Sequence, residues 1–217
     1  EASEWYMRVN EPGPHIPLAA IDEMILKTNS YANPGDIWVT SGSLPQGVPD
    51  EFYADLIRML KAKGVRVFFE SIAEPFKLGL RERPWLVSPD VTEAEHLLGY
   101  SIQNFDAAKR AAMSFMQQGA EYVALAIETG GVLLASQSLM VMASPVKVPV
   151  RNVTGAGDAL MAGLVDGFVT YQPLVEIARQ ASSCRATWVS HRDYTTIRRE
   201  DYLELLPKVE VRAIPLL

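Results

Sequence analysis

The chain has 217 residues, 48% hydrophobic and 21% charged, which suits one soluble globular unit with a substantial core. A formal net charge of -6, from 20 Lys+Arg against 26 Asp+Glu, argues against a concentrated basic face for nucleic acid or an anionic membrane. The single cysteine, Cys184, excludes an internal disulfide and a cysteine-based metal centre. No apolar run has the form of a signal peptide or a membrane span, so the expected compartment is the cytoplasm.

The sequence opens without Met, in "EASEWYMRVNEPGPH", as though entering mid-strand, and the expectation is that chain precedes Glu1. Residues 36–42, "DIWVTSG", form a β-branched and aromatic run ending in glycine and predict a strand. Residues 50–64 place Phe52, Leu56, Ile57 and Leu60 at helical spacing before Gly64. "VRVFFES" predicts a strand, "EPFKLGLRERP" a short helix stopped before Pro84, "WLVS" a strand and "VTEAEHLLG" a helix closed by Gly99. Residues 104–119 predict a helix ending at Gly119, and "YVALAI" a buried strand. "GVLLAS" followed by "LMVMASPVKVPV" predicts strands around a turn. Two more helices follow, one from the glycine-rich turn to Phe168 and one over residues 174–190. Strands alternating with helices imply a parallel sheet covered on both faces, with ligands at the carboxyl ends of its strands. No internal repeat or clear linker interrupts residues 1–217, so a single domain is expected.

The chemistry concentrates in residues 151–168, "RNVTGAGDALMAGLVDGF". A helix start carries unpaired N–H groups and partial positive charge, and small residues at Gly155, Ala156 and Gly157 let an anion approach that backbone. Asp158, directly behind, would repel a phosphate. It suits a base that takes a proton from a hydroxyl attacking a phosphoryl group. The same residues also fit a structural helix start, in which Thr154 caps, the glycines permit tight packing and Asp158 complements the helix dipole.

"NVTGAGDALMAGL" resembles the signature of the ribokinase-like (PfkB) carbohydrate kinase family, although Thr154 directly adjoins Gly155 where that pattern has an intervening residue. "RVNEPGP", "SGSLPQGVPDEFYADLI" and the Pro-x-x-x-Glu of "SPDVTEAEHLLG" follow in the right order. They resemble the branch that phosphorylates sugar phosphates, 1-phosphofructokinase and tagatose-6-phosphate kinase. The resemblance covers nearly the whole chain and weakens after about residue 190. It implies a three-layer α/β/α fold with a mainly parallel central sheet, lacking roughly the first ninety residues of the family domain, with residues 1–10 as a remnant of its lid. It further implies ATP and Mg2+ as cofactors, a sugar phosphate such as fructose 1-phosphate or tagatose 6-phosphate as acceptor, and a homodimer through the lid.

Residue by residue, the resemblance makes Asp158 the base and Gly155, Ala156 and Gly157 the anion hole. Arg8 becomes the grip on the acceptor's phosphate and Ser43 a neighbour of it. Glu93 organises water around Mg2+, and Asp90, Ala126, Glu128, Thr154, Gly155, Gly157 and Arg185 line the nucleotide site. Several of these depart from the family pattern. Ser88 and Asp90 stand at the Lys and Asn of Lys-Pro-Asn, and Ala126 and Glu128 at the Ser and Gly of Ser-Leu-Gly. Glu70 and Ala73 stand at the Asp and Gly of Asp-x-x-Gly. Arg185 stands where small residues line the adenine pocket, and a guanidinium there could stack on the base. These changes leave two alternatives open: a nucleoside or pseudouridine kinase, and a sugar- or nucleotide-binding protein with weak catalysis. "HRD" at residues 191–193 lacks the other protein-kinase motifs. Asn152-Val153-Thr154 is a glycosylation sequon placed in the catalytic turn, and the three histidines have no metal-ligand spacing.

Overall fold

The structure, a computed structural model, describes residues 13–127, 131–191 and 196–214. Arg8, Glu128 and residues 1–10, expected as a lid remnant, lie outside the described residues.

Among the described residues the chain forms a seven-stranded sheet in sequence order: β1 (Ile37–Thr40), β2 (Arg66–Phe69), β3 (Leu86–Val87), β4 (Tyr122–Ala126), β5 (Val132–Ser136), β6 (Met140–Ala143) and β7 (Val211–Ile214). Strands β1 to β4 run parallel, with Val39 opposite Phe68, Phe69 opposite Val87 and Val87 opposite Val123. Strands β4 to β7 are antiparallel. The sheet is therefore mixed, its parallel part carrying the helical crossovers.

Parallel crossovers are right-handed almost without exception, so strands paired in sequence order send their connecting helices to one face. Helices α2 (Phe52–Ala62), α3 (Ala73–Arg81), α4 (Val91–Leu98) and α5 (Phe105–Gln118) accordingly cover one face, with α1 (Leu18–Tyr31) at its margin. Helices α6 (Ala156–Val169) and α7 (Leu174–Ser190) cover the other, and α8 (Arg199–Leu205) follows α7.

Side chains alternate across a pleated strand, and the core divides accordingly. Val67, Phe69, Val123, Leu125 and Leu133 pack under the first helix layer, whereas Phe68, Ala124, Val132 and Leu134 pack under α6 and α7. Both faces are buried, which explains why β5 reads as a continuous apolar run rather than an alternating one.

The C-terminal half of α6 is held by an aromatic cluster. Phe168 meets Trp85 at 4.7 Å, Tyr122 at 5.0 Å and Phe68 at 5.6 Å between ring centroids, all edge-on. Such pairs contribute about 0.5–1.5 kcal/mol each beyond their burial. A Cβ on Gly163 would lie 2.7 Å from Ala181 Cα, so glycine there lets α6 and α7 pack backbone to backbone. Fixed at these points, α6 aims its N-terminus at the carboxyl ends of β2, β3 and β4.

The expected strands of residues 36–42, 65–71, 85–88, 122–127 and 131–136 are all present, as are the six expected helices. Residues 139–150 differ: only Met140–Ala143 is a strand, because both of its partners, β5 and β7, end opposite Ala143. Helices α1 and α8 and strand β7 had no counterpart in the sequence reading. No helix among the described residues is long and apolar enough to cross a membrane.

Candidate active site

The parallel strands end on one side of the sheet and deliver Ser41, Glu70, the 88–90 segment and Ile127 there. Facing them is the start of α6, built by the turn the sequence singled out. Gly155 is its N-cap, with φ 86°, and no side chain caps the helix. The expectation that Thr154 might cap it is not met. The Thr154 carbonyl instead accepts a hydrogen bond from Trp188 Nε1 at 2.6 Å, and its N–H donates to Asn152 Oδ1 at 3.0 Å.

The backbone N–H groups of Arg151 and Asn152 both donate to the Val189 carbonyl, which stitches the turn to the end of α7. Gly155 is needed on two counts: its left-handed backbone disfavours a side chain, and a Cβ would lie 2.9 Å from the Trp188 ring. Gly157 has a different reason to be small. A Cβ there would stand 3.4 Å from Glu70 Oε1, inside the cavity.

That cavity, of about 600 Å³, is walled by Glu70, Ser88, Asp90, Glu93, Ala126, Arg185 and the 155–158 turn, among others. A second cavity, of about 570 Å³, runs along the edge of the sheet, lined by Val39, Ser41, Met161, Val165 and Val169. Asp158 lines both. It lies exposed on the first turn of α6, where two binding volumes meet.

Charge in the first cavity is strongly one-sided. Glu70 is pushed up to about 7, first by burial and then by the negative charges of Glu93, Asp158 and Asp90. Burial also raises Glu93, opposed by the hydrogen bond its carboxylate accepts from Asp90 N–H at 3.0 Å. Asp90 Oδ1 in turn accepts from Glu93 N–H at 2.8 Å, so the two close a capping box at the start of α4. Burial lowers Arg185, with the Asp90 charge pulling the other way.

Of the residues singled out in the sequence, Asp158, Gly155, Ala156, Gly157, Asp90, Glu93, Ala126 and Arg185 converge on one cavity. Thr154 and Ser43 do not line it. Ser43 is exposed, and Ser41, two residues earlier, is the serine that lines the second cavity. The strand-end loop is held by Tyr53 Oη, which donates to the carbonyls of Ser41 and Gly42, and by Ser71 Oγ, which donates to Gly42. The sequence marks Glu70 as a departure near the nucleotide site but gives it no role there. Trp188 was missed as well, although Arg185, Trp188 and Val189 share the i, i+3, i+4 spacing of one helix face.

The uncapped start of α6, with space kept open at Gly157, fits a transferred phosphoryl group. No group of three or more His, Cys, Asp or Glu among the described residues is placed to hold a bare metal ion. The carboxylates suit a magnesium ion that arrives on nucleotide phosphates and keeps most of its water.

The pfkB family carbohydrate kinases match residues 15–200. The chain is 31% identical over 176 residues to a 1-phosphofructokinase of Rhodobacter capsulatus, covering 81% of this chain and 56% of that protein. It is 24% identical over 204 residues to a tagatose-6-phosphate kinase of Staphylococcus epidermidis, covering 93% and 66%. Among solved structures, phosphofructokinase-2 of Escherichia coli in complex with potassium superposes with a TM-score of 0.87 at 22% identity, over 93% of this chain and 66% of that one. The chain thus spans between about half and two thirds of the length of these relatives.

Proposed function

The chain belongs to the pfkB family of carbohydrate kinases, and from that premise we propose that the complete protein transfers a phosphoryl group from ATP to a hydroxyl of a phosphorylated sugar, in the manner of the 1-phosphofructokinase and tagatose-6-phosphate kinase relatives. The observation that carries this reading is the placement of Asp158, on the first turn of an uncapped helix and shared by two cavities. One cavity is polar and suits a polyphosphate. The other is bordered by Ser41 and opens along the sheet edge, which suits an acceptor.

Asp158 accepts the proton of the acceptor hydroxyl as its oxygen attacks the terminal phosphoryl group, and the N–H groups at the start of α6 stabilise the charge that develops there. Bound Mg2+ supplies neutralisation of the phosphate charge. Glu93, half-buried against the cavity, would orient its water, while Asp90 and Ala126 line the same cavity. Arg8 holds the phosphate already on the acceptor, a task that suits a guanidinium fork.

A second reading, a binding protein with weak catalysis, is favoured by the four carboxylates in the cavity and by Ser88 at the position of the family's lysine. A coupled assay of ATP consumption by the complete protein, over free sugars, ketohexose phosphates and nucleosides, separates the readings. Turnover confined to phosphorylated sugars supports the proposal. Equal turnover of free sugars or nucleosides overturns the acceptor assignment, and binding without turnover of any acceptor supports the second reading.

A further inference from the structure

Arg185 is the sole basic side chain among the described residues that line the polar cavity, facing Glu70, Asp90, Glu93 and Asp158. It is partly buried and forms no ion pair with any described residue. The charge that acts on it, Asp90, already has its carboxylate engaged by Glu93 N–H in the α4 capping box. A partly buried guanidinium that makes no ion pair among the described residues can take an anion entering the cavity.

Position indicates which anion. One helical turn after Arg185, Trp188 packs on Gly155 and Val189 lines the cavity, so this face of α7 looks onto the start of α6. Ser88, at the position of the family's lysine, lines the same cavity two residues before Asp90. We propose that Arg185 grips the phosphate chain of the nucleotide donor, bringing from α7 positive charge to a cavity whose other described ionisable side chains are carboxylates. This inference rests on the kinase reading and differs from a stacking role on adenine. A planar fork suits two phosphate oxygens, and among the described residues the cavity offers the nucleotide no other side-chain cation.

The test is calorimetric titration of the complete protein and its Arg185→Met and Arg185→Lys variants with ATP, ADP, AMP and adenosine in Mg2+. Arg185→Met is expected to weaken ATP and ADP by about 10- to 100-fold and leave adenosine unchanged, with Arg185→Lys recovering part of the loss. Equal weakening of all four ligands assigns Arg185 to the base and overturns the proposal. A wild type that binds ATP and an Arg185→Met variant that binds it equally well overturns this inference alone. A wild type that binds none of the four overturns the kinase reading and this inference with it. Melting curves of both variants establish that the differences are not losses of fold.

Discussion

Glu70 offers a direct reading of the cavity's electrostatics through stability. Its carboxyl, pushed up to about 7 from an ordinary 4.5, is dominated by burial and by three neighbouring acids. Below about pH 4.5 both folded and unfolded chains hold the proton and the residue contributes nothing. Between about 4.5 and 7 the unfolded chain releases its proton while the folded chain keeps it, so stability falls as pH rises; above about 7 the loss is complete. At about 1.4 kcal/mol per pH unit, the full loss is roughly 3 kcal/mol. Glu70→Gln keeps the shape and removes the charge. The variant should match wild type near pH 4.5 and gain progressively to about pH 7.5, where its Tm should be roughly 6 to 12 °C higher for a chain of this size. Melting curves of ligand-free protein in matched buffers from pH 4.5 to 8.5 provide the measurement. A Tm difference that does not change with pH would refute the reasoning, because only a titrating group can make the difference grow.

Gly155→Ala places a side chain at φ 86° and 2.9 Å from the Trp188 ring, so it should cost about 1–2 kcal/mol from the left-handed backbone alone, read as a lower Tm and an altered tryptophan emission. Ala73 carries φ 53° at the position where the family has glycine. Ala73→Gly should therefore stabilise the fold by about 0.5–1 kcal/mol, the relief of strain exceeding the entropy cost of glycine, measured by urea unfolding. A destabilised Ala73→Gly would contradict the left-handed assignment.

The parts of this fold written in local pattern were legible in the sequence, and the parts made by long-range pairing were not. The 151–158 turn announces itself because glycine spacing, a lone acid and an apolar helix are contiguous. Helix α1 was missed although Leu18, Ile21 and Ile25 stand at helical spacing; its apolar face is thin, with only Ile21 and Thr28 buried among 14 residues and Leu18, Met24 and Leu26 exposed. Strand β7 is four residues long and defined by its partner β6, some seventy residues earlier, and β6 itself stops at Ala143, where both β5 and β7 end. The site divides in the same way. Asp158 and its glycines follow from one segment, but Glu70 enters from the end of β2 only because the sheet places it opposite Gly157. Asp90 reads as a departure from the family pattern and Glu93 as a match to it, and their three-residue spacing is also that of the capping box they form.

Asp158 is proposed as the proton acceptor of a phosphoryl transfer. Asp158→Asn in the complete protein preserves side-chain size at an exposed position on the first turn of α6. With kcat and Tm measured on the same preparation, using ATP and a ketohexose phosphate, this role predicts a fall in kcat of roughly 10² to 10⁴ with ATP affinity retained. It also predicts a stability change of no more than about 1 kcal/mol, the magnitude of a charge at a helix start. A variant that loses stability yet keeps its kcat would contradict the account and return Asp158 to a structural role.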